Sequence, residues 1–435
     1  MATIVLGLRP ELYSSSMTAA TTRPYRRRLA DARLAEITAN FAAVLINGPR
    51  ATGKSTTARQ LAASTVRLDR EAEAALFRAD PDAALKTQPT PVLLDEWQQV
   101  PGVLGAIKRA VDDDPTPGRY ILTGSVNARL EQAMWPGTGR IIRLSMYGMT
   151  ELEILDAVDS KHQSFLDRLA LADPQALGLP TDRPDLPGYI DLAVRGGFPE
   201  MVLGSLSQAQ REMWLDSYLD QLLSRDVLST SQNRDPGKMR QYFRALALST
   251  AGTPQEKTLA DSARVNFRTA RSYDKLFEDL FIAEEVPAWA SNRLARLVPA
   301  PKRYIVDPAL AARAATLSAA GILRDGDQLG RILDTFVMAQ LRPEVALSGG
   351  QRLHHLRTKA GLQEVDLVVE LSDNRVLALE FKATAAPSSN DARHLVWLRE
   401  HLGDRFVAGA VLHTGPAAFR LSDRIIAAPI CAIWG

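Results

Sequence analysis

The chain has 435 residues, of which 46% are hydrophobic and 23% charged, a composition typical of a globular protein with two or three domains. The 52 basic and 50 acidic residues leave a formal net charge of +2, which argues against a protein coated with positive charge but allows a local basic patch. The single cysteine, Cys431, excludes an intramolecular disulfide and a CxxC metal cluster, and it favours a cytoplasmic location.

The amino-terminal segment and the apolar runs bear on membrane association. No apolar run reaches the ~18 residues that a membrane helix needs, so we predict no membrane partner. Residues 1–24 are rich in Ala, Ser and Thr, and no basic residue precedes their short apolar stretch. This segment is therefore a poor signal peptide, and we expect a flexible leader.

Residues 25–155 alternate short apolar runs with helical patterns. This alternation predicts an α/β domain, with a parallel sheet that carries helices on both faces. The predicted strands span residues 42–46, 92–94, 120–122 and 141–144. Helical patterns cover residues 25–40, 55–63 and 103–112.

A glycine-rich loop joins the first predicted strand to a helical pattern. It fits GxxxxGK[ST], whose glycines let backbone amides converge on phosphates at a helix N-terminus. Lys54 is expected to reach the outer phosphates and Ser55 to present its hydroxyl to Mg²⁺. We therefore predict ATP and Mg²⁺ as ligands of this P-loop. The predicted nucleotide-binding residues are Gly48, Pro49, Arg50, Ala51, Thr52, Gly53, Lys54, Ser55 and Thr56.

Polar residues end the next predicted strands and supply the remaining candidates for catalysis beside Lys54. Asp95 is expected to hold Mg²⁺ and Glu96 to orient or deprotonate the attacking water, although acidic residues also favour an ordinary helix start. Ser125 or Asn127 can sense the γ-phosphate, or this stretch is a plain turn. Arg140 is a candidate arginine finger for a neighbouring subunit, with a solvated arginine as the alternative.

The middle of the chain has a largely helical pattern. We predict a helical lid over residues 156–235 and a winged-helix unit over residues 236–325. Within the winged-helix unit, a strand at 303–306 follows the helices. Its basic residues favour DNA binding, and packing or oligomer contacts are the alternative. The candidates for contacts to phosphates and base edges are Arg264, Arg268, Arg271, Tyr273 and Lys275, with a basic wing of Arg293, Arg296, Lys302 and Arg303.

Residues 326–435 follow a third pattern, in which a helix (328–346) precedes strands and a later helix. Asp366 and, 14 residues further on, Glu380-Phe381-Lys382 have the spacing of restriction-endonuclease-like folds. Asp366 and Glu380 can hold a second divalent metal, Lys382 can position the attacking water, and Asp334 is a further acidic candidate. A solvated strand edge, or a nuclease-like fold that binds without cleaving, are the alternatives.

Beyond these separate motifs, the chain resembles the bacterial and archaeal AAA-family ATPases that carry a C-terminal domain of unknown function. The resemblance implies an ATPase core, a helical lid, a winged-helix segment and a nuclease-like C-terminal fold. The matching pieces are the P-loop, Leu93-Leu94-Asp95-Glu96, Leu122-Thr123-Gly124-Ser125, Gly139-Arg140, Met149-Thr150-Glu151, Gly196-Gly197-Phe198-Pro199-Glu200, Arg225-Asp226 and residues 302–307.

The motifs together predict Mg²⁺-dependent ATP hydrolysis coupled to DNA binding, with nuclease activity left open. An alternative keeps the ATPase but makes it a signalling switch whose distal domains bind protein and cut nothing. A small-molecule kinase is a third, weaker interpretation, because a kinase would not need ~280 further residues. The sequence does not distinguish a monomer from an oligomer.

Overall fold

The computed structural model describes residues 24–125, 138–159, 162–230, 235–289, 300–358 and 362–435, without the side chains of residues 224–230. The predicted leader lies outside the described residues except for its last position. Asn127, Arg293 and Arg296 also lie outside them, as do the side chains of Arg225 and Asp226.

Five parallel strands form the sheet of the amino-terminal domain, and the parallel arrangement and four of the strands were predicted. Their order is β2-β3-β4-β1-β5, so β4 lies between β1 and β3. The strands are β1 (Ala43–Asn47), β2 (Ser64–Arg67), β3 (Val92–Asp95), β4 (Tyr120–Thr123) and β5 (Ile141–Ser145). The helices are α1 (Ala30–Asn40), α2 (Lys54–Ala58), α3 (Glu71–Ala79), α4 (Pro81–Lys86) and α5 (Val103–Asp113).

Alternate residues of this sheet pack into two separate cores. Val44 and Ile46 of β1 pack with α1, whereas Ala43 and Leu45 face the core that includes α3 and α5. Side chains of a strand point alternately to opposite faces, so a sheet covered on both sides is apolar throughout. This explains why β1, β3, β4 and β5 were predictable as apolar runs.

The middle of the chain is helical, with one short antiparallel ribbon of β6 (Ala283–Val286) and β7 (Lys302–Ile305). Side chains cap several of the helices: Asp235 accepts from backbone amides at the start of α11, Asn266 at α13 and Asp307 at α14. The helices are α6 (Glu151–Ile154), α7 (Phe165–Leu169), α8 (Leu186–Arg195), α9 (Pro199–Leu203), α10 (Gln208–Thr230), α11 (Pro236–Leu248), α12 (Glu256–Ser262), α13 (Phe267–Asp279), α14 (Pro308–Ala314) and α15 (Ala319–Arg324).

A six-stranded mixed sheet, with order β12-β13-β11-β10-β9-β8, forms the C-terminal part. Strands β8, β9 and β10 are antiparallel neighbours, whereas β10, β11 and β13 run parallel. The elements are α16 (Gly326–Ser348), β8 (Arg352–Arg357), β9 (Glu364–Glu370), β10 (Val376–Lys382), α17 (Arg393–Leu402), β11 (Phe406–His413), β12 (Phe419–Ser422) and β13 (Ile425–Pro429).

One hydrophobic core joins the middle of the chain to the C-terminal sheet. It runs without interruption from Leu152 through the helices α8 to α16 to Trp434. Helix α16 also contacts the amino-terminal domain, because the Gln340 side-chain oxygen accepts a hydrogen bond of 2.7 Å from the Glu151 amide. Within the described residues, none of the helices is both long and apolar enough to span a bilayer.

Candidate functional site

The predicted nucleotide-site residues converge where the parallel strands end. The P-loop follows β1, Asp95 is the last residue of β3, and Ser125 comes two residues after β4. The carboxyl edge of an open parallel sheet is where such folds bind ligands. The first structural requirement for a nucleotide site is therefore met by the strand order.

Glycines allow the P-loop to fold tightly against the segment after β5. Gly48 has φ of +140°, and a Cβ there would lie 2.0 Å from the Met146 carbonyl oxygen, so only glycine fits. Gly53 has φ of +94° and precedes α2. The Arg28 guanidinium fixes the loop from outside by donating to the carbonyl oxygens of Thr52 at 2.8 Å and Tyr147 at 2.9 Å.

Lys54 lies inside the loop that its backbone forms. Its ammonium donates to the carbonyl oxygens of Gly48 at 3.0 Å and Pro49 at 2.5 Å. Burial lowers the pKa of Lys54 to about 8, because removal from water disfavours the charged form. A phosphate would replace the two carbonyl oxygens as the acceptor and favour the ammonium.

Asp95 is bonded directly to the P-loop. The Ser55 hydroxyl donates to Asp95 Oδ1 at 2.5 Å, and so does the Thr123 hydroxyl of the neighbouring strand at 2.5 Å. Arg59 lies 3.5 Å from the other carboxylate oxygen. The Ser55 hydroxyl and the Asp95 carboxylate lie side by side and are the oxygen ligands that Mg²⁺ prefers. This pair of groups therefore fits the ion.

Glu96 adopts a backbone conformation that is rare for a residue with a side chain. Its φ of 57° and ψ of 48° are left-handed, which costs about 1–3 kcal/mol and is typical of functional positions. One carboxylate oxygen accepts from the Ser125 hydroxyl at 3.2 Å, and the other accepts from the Gln98 side-chain amide. Both oxygens are therefore engaged within the protein.

Arg140 does not join this site within the chain. It precedes β5, at the edge of the sheet opposite the P-loop, and is 41% exposed. Its guanidinium Nε lies 2.8 Å from Asp112 Oδ1. A role in a neighbouring subunit's site stays a prediction.

Helix α10 packs against the tip of the P-loop. The Tyr218 hydroxyl donates to the Arg50 carbonyl at 3.4 Å, and Trp214 stacks on Tyr218 with ring centroids 5.2 Å apart. Arg50 and Ala51 line a cavity of about 290 Å³ together with these two rings. The helical region after the ATPase domain thus lies directly over the loop.

The segment Gly196-Gly197-Phe198-Pro199 connects the P-loop side of the molecule to the middle helices. The Gly197 carbonyl accepts from the Met149 amide at 2.6 Å, and its amide donates to Asp307 at 2.8 Å. Phe198 is buried against Trp214 and Tyr218. A Cβ on Gly53 would lie 3.6 Å from Pro199, so this segment reaches the loop itself.

The predicted DNA-contact residues divide into exposed and buried groups. Arg268, Arg271 and Lys275 are exposed, and their spacing places them along one face of α13. Arg264 is exposed just before the helix. Tyr273 was a wrong choice: it is 1% exposed and packs edge-on against another tyrosine, because it belongs to the apolar face.

Two of the four residues of the predicted basic wing lie in the described part of the chain, and both are buried instead of exposed. Lys302 and Arg303 are 5% and 8% exposed, so neither is free to meet a nucleic acid. Arg303 lies 3.0 Å from Asp274, and Lys302 lies 2.8 Å from Asp334. These cations are the first two residues of β7, a strand that other elements cover, so their charges are used within the protein.

The C-terminal candidates come together around Lys302. Asp366 of β9 accepts from the Phe381 amide at 3.0 Å, which draws it to the end of β10. There, the Lys382 ammonium donates to Glu380 at 3.2 Å. The Lys302 ammonium lies between Asp334, at 2.8 Å, and Asp366, at 3.2 Å.

A divalent metal does not fit this carboxylate cluster as it stands. The position between Asp334 and Asp366 is filled by an ammonium group, and a second cation there would be repelled. Among the described residues, no set of three or more His, Cys, Asp or Glu side chains is arranged to hold a metal ion. The adjoining cavity of about 510 Å³ is lined by both signs of charge, including Arg331, Arg357 and Glu364.

Several contacting residues were not among the sequence predictions. Thr123 and Gln98 bond the two carboxylates that end β3, and Arg28 clamps the P-loop. Thr123 was accessible from the sequence, because it ends the strand beside Asp95 in register. Gln98 and Arg28 carried no signal, since their contacts depend on a turn and on tertiary packing.

The comparisons with known proteins divide the chain into three matched regions. Residues 40–155 match an AAA domain family. Residues 186–321 and 329–433 match two domains of unknown function, DUF8612 and DUF4143 respectively. The AAA match supports an AAA-type ATPase with a DUF4143 domain at its C-terminal side.

Two relatives and one solved structure are similar along much of the chain. The uncharacterized proteins Rv2008c of Mycobacterium tuberculosis and Mb2031c of Mycobacterium bovis are each 28% identical over 408 residues, which is 93% of this chain and 83% of theirs. The Walker-type ATPase PABY2304 of Pyrococcus abyssi aligns with a TM-score of 0.42 and 15% identity, over 67% of this chain and 98% of that one.

Proposed function

We propose that the chain binds and hydrolyses ATP with Mg²⁺, and that the distal helical and C-terminal regions respond to the nucleotide. The observation that carries the proposal is the direct bond of Ser55 to Asp95, 2.5 Å long, with Glu96 next in the chain. It brings together the P-loop hydroxyl and the two carboxylates that hydrolysis requires. The match of residues 40–155 to an AAA domain supports the same conclusion.

The residues of the site have separate roles in this proposal. Ser55 and Asp95 would hold Mg²⁺, which when bound supplies positive charge to the phosphates. Lys54 moves from its two carbonyl partners to the outer phosphates, and the backbone amides of the loop donate to them. Glu96 orients the attacking water and accepts its proton once one carboxylate oxygen leaves Ser125 or Gln98.

The first test is the substitution Lys54→Ala in the full chain, with ATP hydrolysis measured as phosphate release. We expect hydrolysis to fall to background, because the buried cation that meets the phosphates is gone. Lys108→Ala, an exposed lysine of the same domain, is the matched control and should hydrolyse normally. Hydrolysis by Lys54→Ala at the wild-type rate would remove the basis of the ATPase proposal.

We further propose that the distal region binds DNA through α13. The support is the row of exposed cations Arg268, Arg271 and Lys275 on the face opposite the buried residues Tyr273 and Leu276. Such a helix, followed by a two-stranded ribbon, has the element order of a winged-helix unit. Phosphate contacts from these side chains would supply sequence-independent affinity.

Fluorescence anisotropy with labelled duplex DNA across a salt series tests this surface. Replacing Arg268, Arg271 and Lys275 together by Ala should weaken binding and reduce the salt slope by about 2–3, since each phosphate contact contributes ~0.9. The matched control replaces three exposed cations of the ATPase domain with the same charge change: Arg70, Arg78 and Lys86. Equal effects of the two triple variants would contradict a site on α13 and favour the protein-binding switch.

DNA cleavage is the less favoured extension of this function. Asp366, Glu380 and Lys382 do meet at the ends of β9 and β10, but a divalent metal does not fit beside Lys302. We therefore expect no product when labelled DNA is incubated with the protein and Mg²⁺ or Mn²⁺. Cleavage by the wild type that is lost in Asp366→Ala and in Lys382→Ala would reverse this assignment.

A further inference from the structure

The Lys302 ammonium has a complete set of acceptors in the carboxylate cluster. It donates to Asp334 Oδ2 at 2.8 Å, to Asp366 Oδ1 at 3.2 Å and to the Asp366 backbone carbonyl at 3.3 Å. An ammonium has three protons, so each is matched to one oxygen. The ammonium is buried, and all three of its protons are used in hydrogen bonds.

The two aspartates that it contacts also have donors from elsewhere in the protein. Asp334 also accepts from the Tyr304 hydroxyl at 2.9 Å, and Asp366 also accepts from the Phe381 amide at 3.0 Å. Every carboxylate oxygen of these two aspartates therefore has a donor from the protein. The Lys302 ammonium thus takes one oxygen of each aspartate and supplies the positive charge that a metal ion would otherwise supply.

The charges in the cluster are also close to balance without a metal. Three carboxylates (Asp334, Asp366 and Glu380) face two ammonium groups, those of Lys302 and Lys382. Without Lys302, the same cluster would carry the excess of negative charge that a divalent cation neutralises.

The backbone fixes Lys302 in this place. It begins β7, whose pairing with β6 holds the ribbon, and the next two residues are anchored by Asp274 and Asp334. The lysine cannot move aside without breaking several buried bonds. Its position is therefore a built feature of the interface between the ribbon and the C-terminal sheet.

We propose that the Lys302 ammonium occupies the cation position of this cluster, so the wild-type protein binds no divalent metal there. Removal of the Lys302 charge then creates a divalent-cation site on Asp334 and Asp366. Two carboxylates with water completing the shell are a common way of binding Mg²⁺ or Mn²⁺. The inference does not depend on the ATPase function, because it concerns a different set of residues.

The experiment counts Mn²⁺ ions bound to nucleotide-free protein by electron paramagnetic resonance. Four full-length proteins are compared: the wild type, Asp366→Asn, Lys302→Met, and the double variant Lys302→Met with Asp366→Asn. Any ion at the P-loop is common to all four and cancels in the comparison of each protein with its Asp366→Asn partner. Methionine keeps an unbranched apolar side chain that reaches as far as Cε of lysine, and it lacks the ammonium group with its charge and its donors.

We expect no difference between the wild type and Asp366→Asn, and one additional Mn²⁺ per chain in Lys302→Met that the double variant loses. Mn²⁺ should also raise the unfolding midpoint of Lys302→Met, by roughly 5 °C at about 100 times the dissociation constant, and leave that of the wild type unchanged. A Mn²⁺ ion in the wild type that Asp366→Asn abolishes would overturn the proposal. A folded Lys302→Met protein without the additional ion would also overturn it, and if that variant does not fold, the wild-type pair alone decides.

Discussion

At the scale of single residues, the proposed ATP site consists of groups that are hydrogen-bonded to each other. Lys54 binds loop carbonyls, Ser55 binds Asp95, and Glu96 binds Ser125 and Gln98. Each of these contacts must yield to a phosphate, a metal or water before chemistry can occur. A bound nucleotide therefore replaces hydrogen bonds within the protein by hydrogen bonds to itself. This exchange limits the binding free energy gained from each contact.

Glu96 is the residue for which binding and chemistry can be separated. We expect Glu96→Gln to reduce ATP hydrolysis on the order of 10²–10⁴-fold, the usual contribution of a positioned general base, while ATP affinity is retained. Phosphate release and titration with a fluorescent ATP analogue measure the two quantities. If hydrolysis by Glu96→Gln matched that of the wild type, the base would have to be another group.

The lowered pKa of Lys54 makes nucleotide affinity depend on pH. Bound phosphates favour the ammonium, so affinity should fall above about pH 8 by up to roughly tenfold per pH unit. The sign for folding is opposite: the unfolded chain binds more protons between about pH 8 and 10.5, so stability of the nucleotide-free protein rises with pH in that window.

Isothermal titrations of ATP between pH 7 and 9.5 measure this effect, with Lys54→Arg as the control. The guanidinium stays charged throughout, so the decrease in affinity with pH should be smaller in that variant. Equal decreases in both proteins would assign the pH dependence to a different group.

At the scale of elements, α10 is held over the P-loop by an aromatic cluster. Phe198 is 2% exposed, and its ring centroid lies 5.0 Å from those of both Trp214 and Tyr218. Because Tyr218 bonds the Arg50 carbonyl, the packing of this cluster sets how α10 meets the loop. Helix α10 and the P-loop are thus linked by one hydrogen bond, from a tyrosine that the ring packing holds in place.

Phe198→Ala should lower the free energy of unfolding by about 3–5 kcal/mol, the usual cost of a cavity left by a buried phenylalanine. Urea unfolding followed by tryptophan fluorescence measures the change. Met213→Ala on α10 is the control: its side chain is 71% exposed, so its effect should stay within about 0.5 kcal/mol. A loss below about 1 kcal/mol in Phe198→Ala would show that the site relaxes to fill the space.

The sequence predicted elements well where burial leaves a periodic pattern. The strands at β1, β3, β4 and β5 were apolar runs because both faces of the sheet are covered. Strand β2, at the sheet edge, has only Val66 buried and gave no such run. Strands β12 and β13 were not predicted either, although β13 is buried, because a short apolar run alone does not distinguish a strand from a helix.

The sequence predicted the motifs of the site but not which of its side chains pair with each other. The P-loop, Asp95 and Glu96 follow from spacing after apolar strands, as do Asp366, Glu380 and Lys382 in the C-terminal sheet. Lys302 illustrates the limit: its position in the sequence suggested a solvated wing, but 64 residues separate it from Asp366, with which it pairs. Local patterns carry no information on such long-range ion pairs.

At the scale of the whole molecule, α16 and the last turns connect regions that matched different domain families. Trp434 packs edge-on against Tyr189 of α8, at 6.3 Å, and against Phe336 of α16, at 6.1 Å. Arg168 donates to the backbone carbonyls of Ala432 and Ile433. The helical middle and the C-terminal sheet therefore share one cooperative core.

Trp434→Ala should reduce hydrogen-exchange protection in α8 and α16 together and leave the parallel sheet of the ATPase domain unchanged. The free energy of opening measured by hydrogen exchange should fall by about 3–5 kcal/mol in each of the two helices, because the same buried ring packs against both. Trp397→Ala is the control: that ring, on α17, is partly buried and packs against the separate core of the C-terminal sheet. Unchanged protection in α8 would contradict a shared core.

The shared core also has a consequence for the order of events during synthesis. The ATPase sheet needs only residues up to about 145, whereas α8 to α13 are not fully covered until β13 and the following turn emerge. At ~5–20 residues per second, a ribosome takes roughly 8 to 30 s to extend the chain from α13 to that point. During this interval the apolar faces of the middle helices stay uncovered, and chaperones that bind such faces have their best opportunity to act.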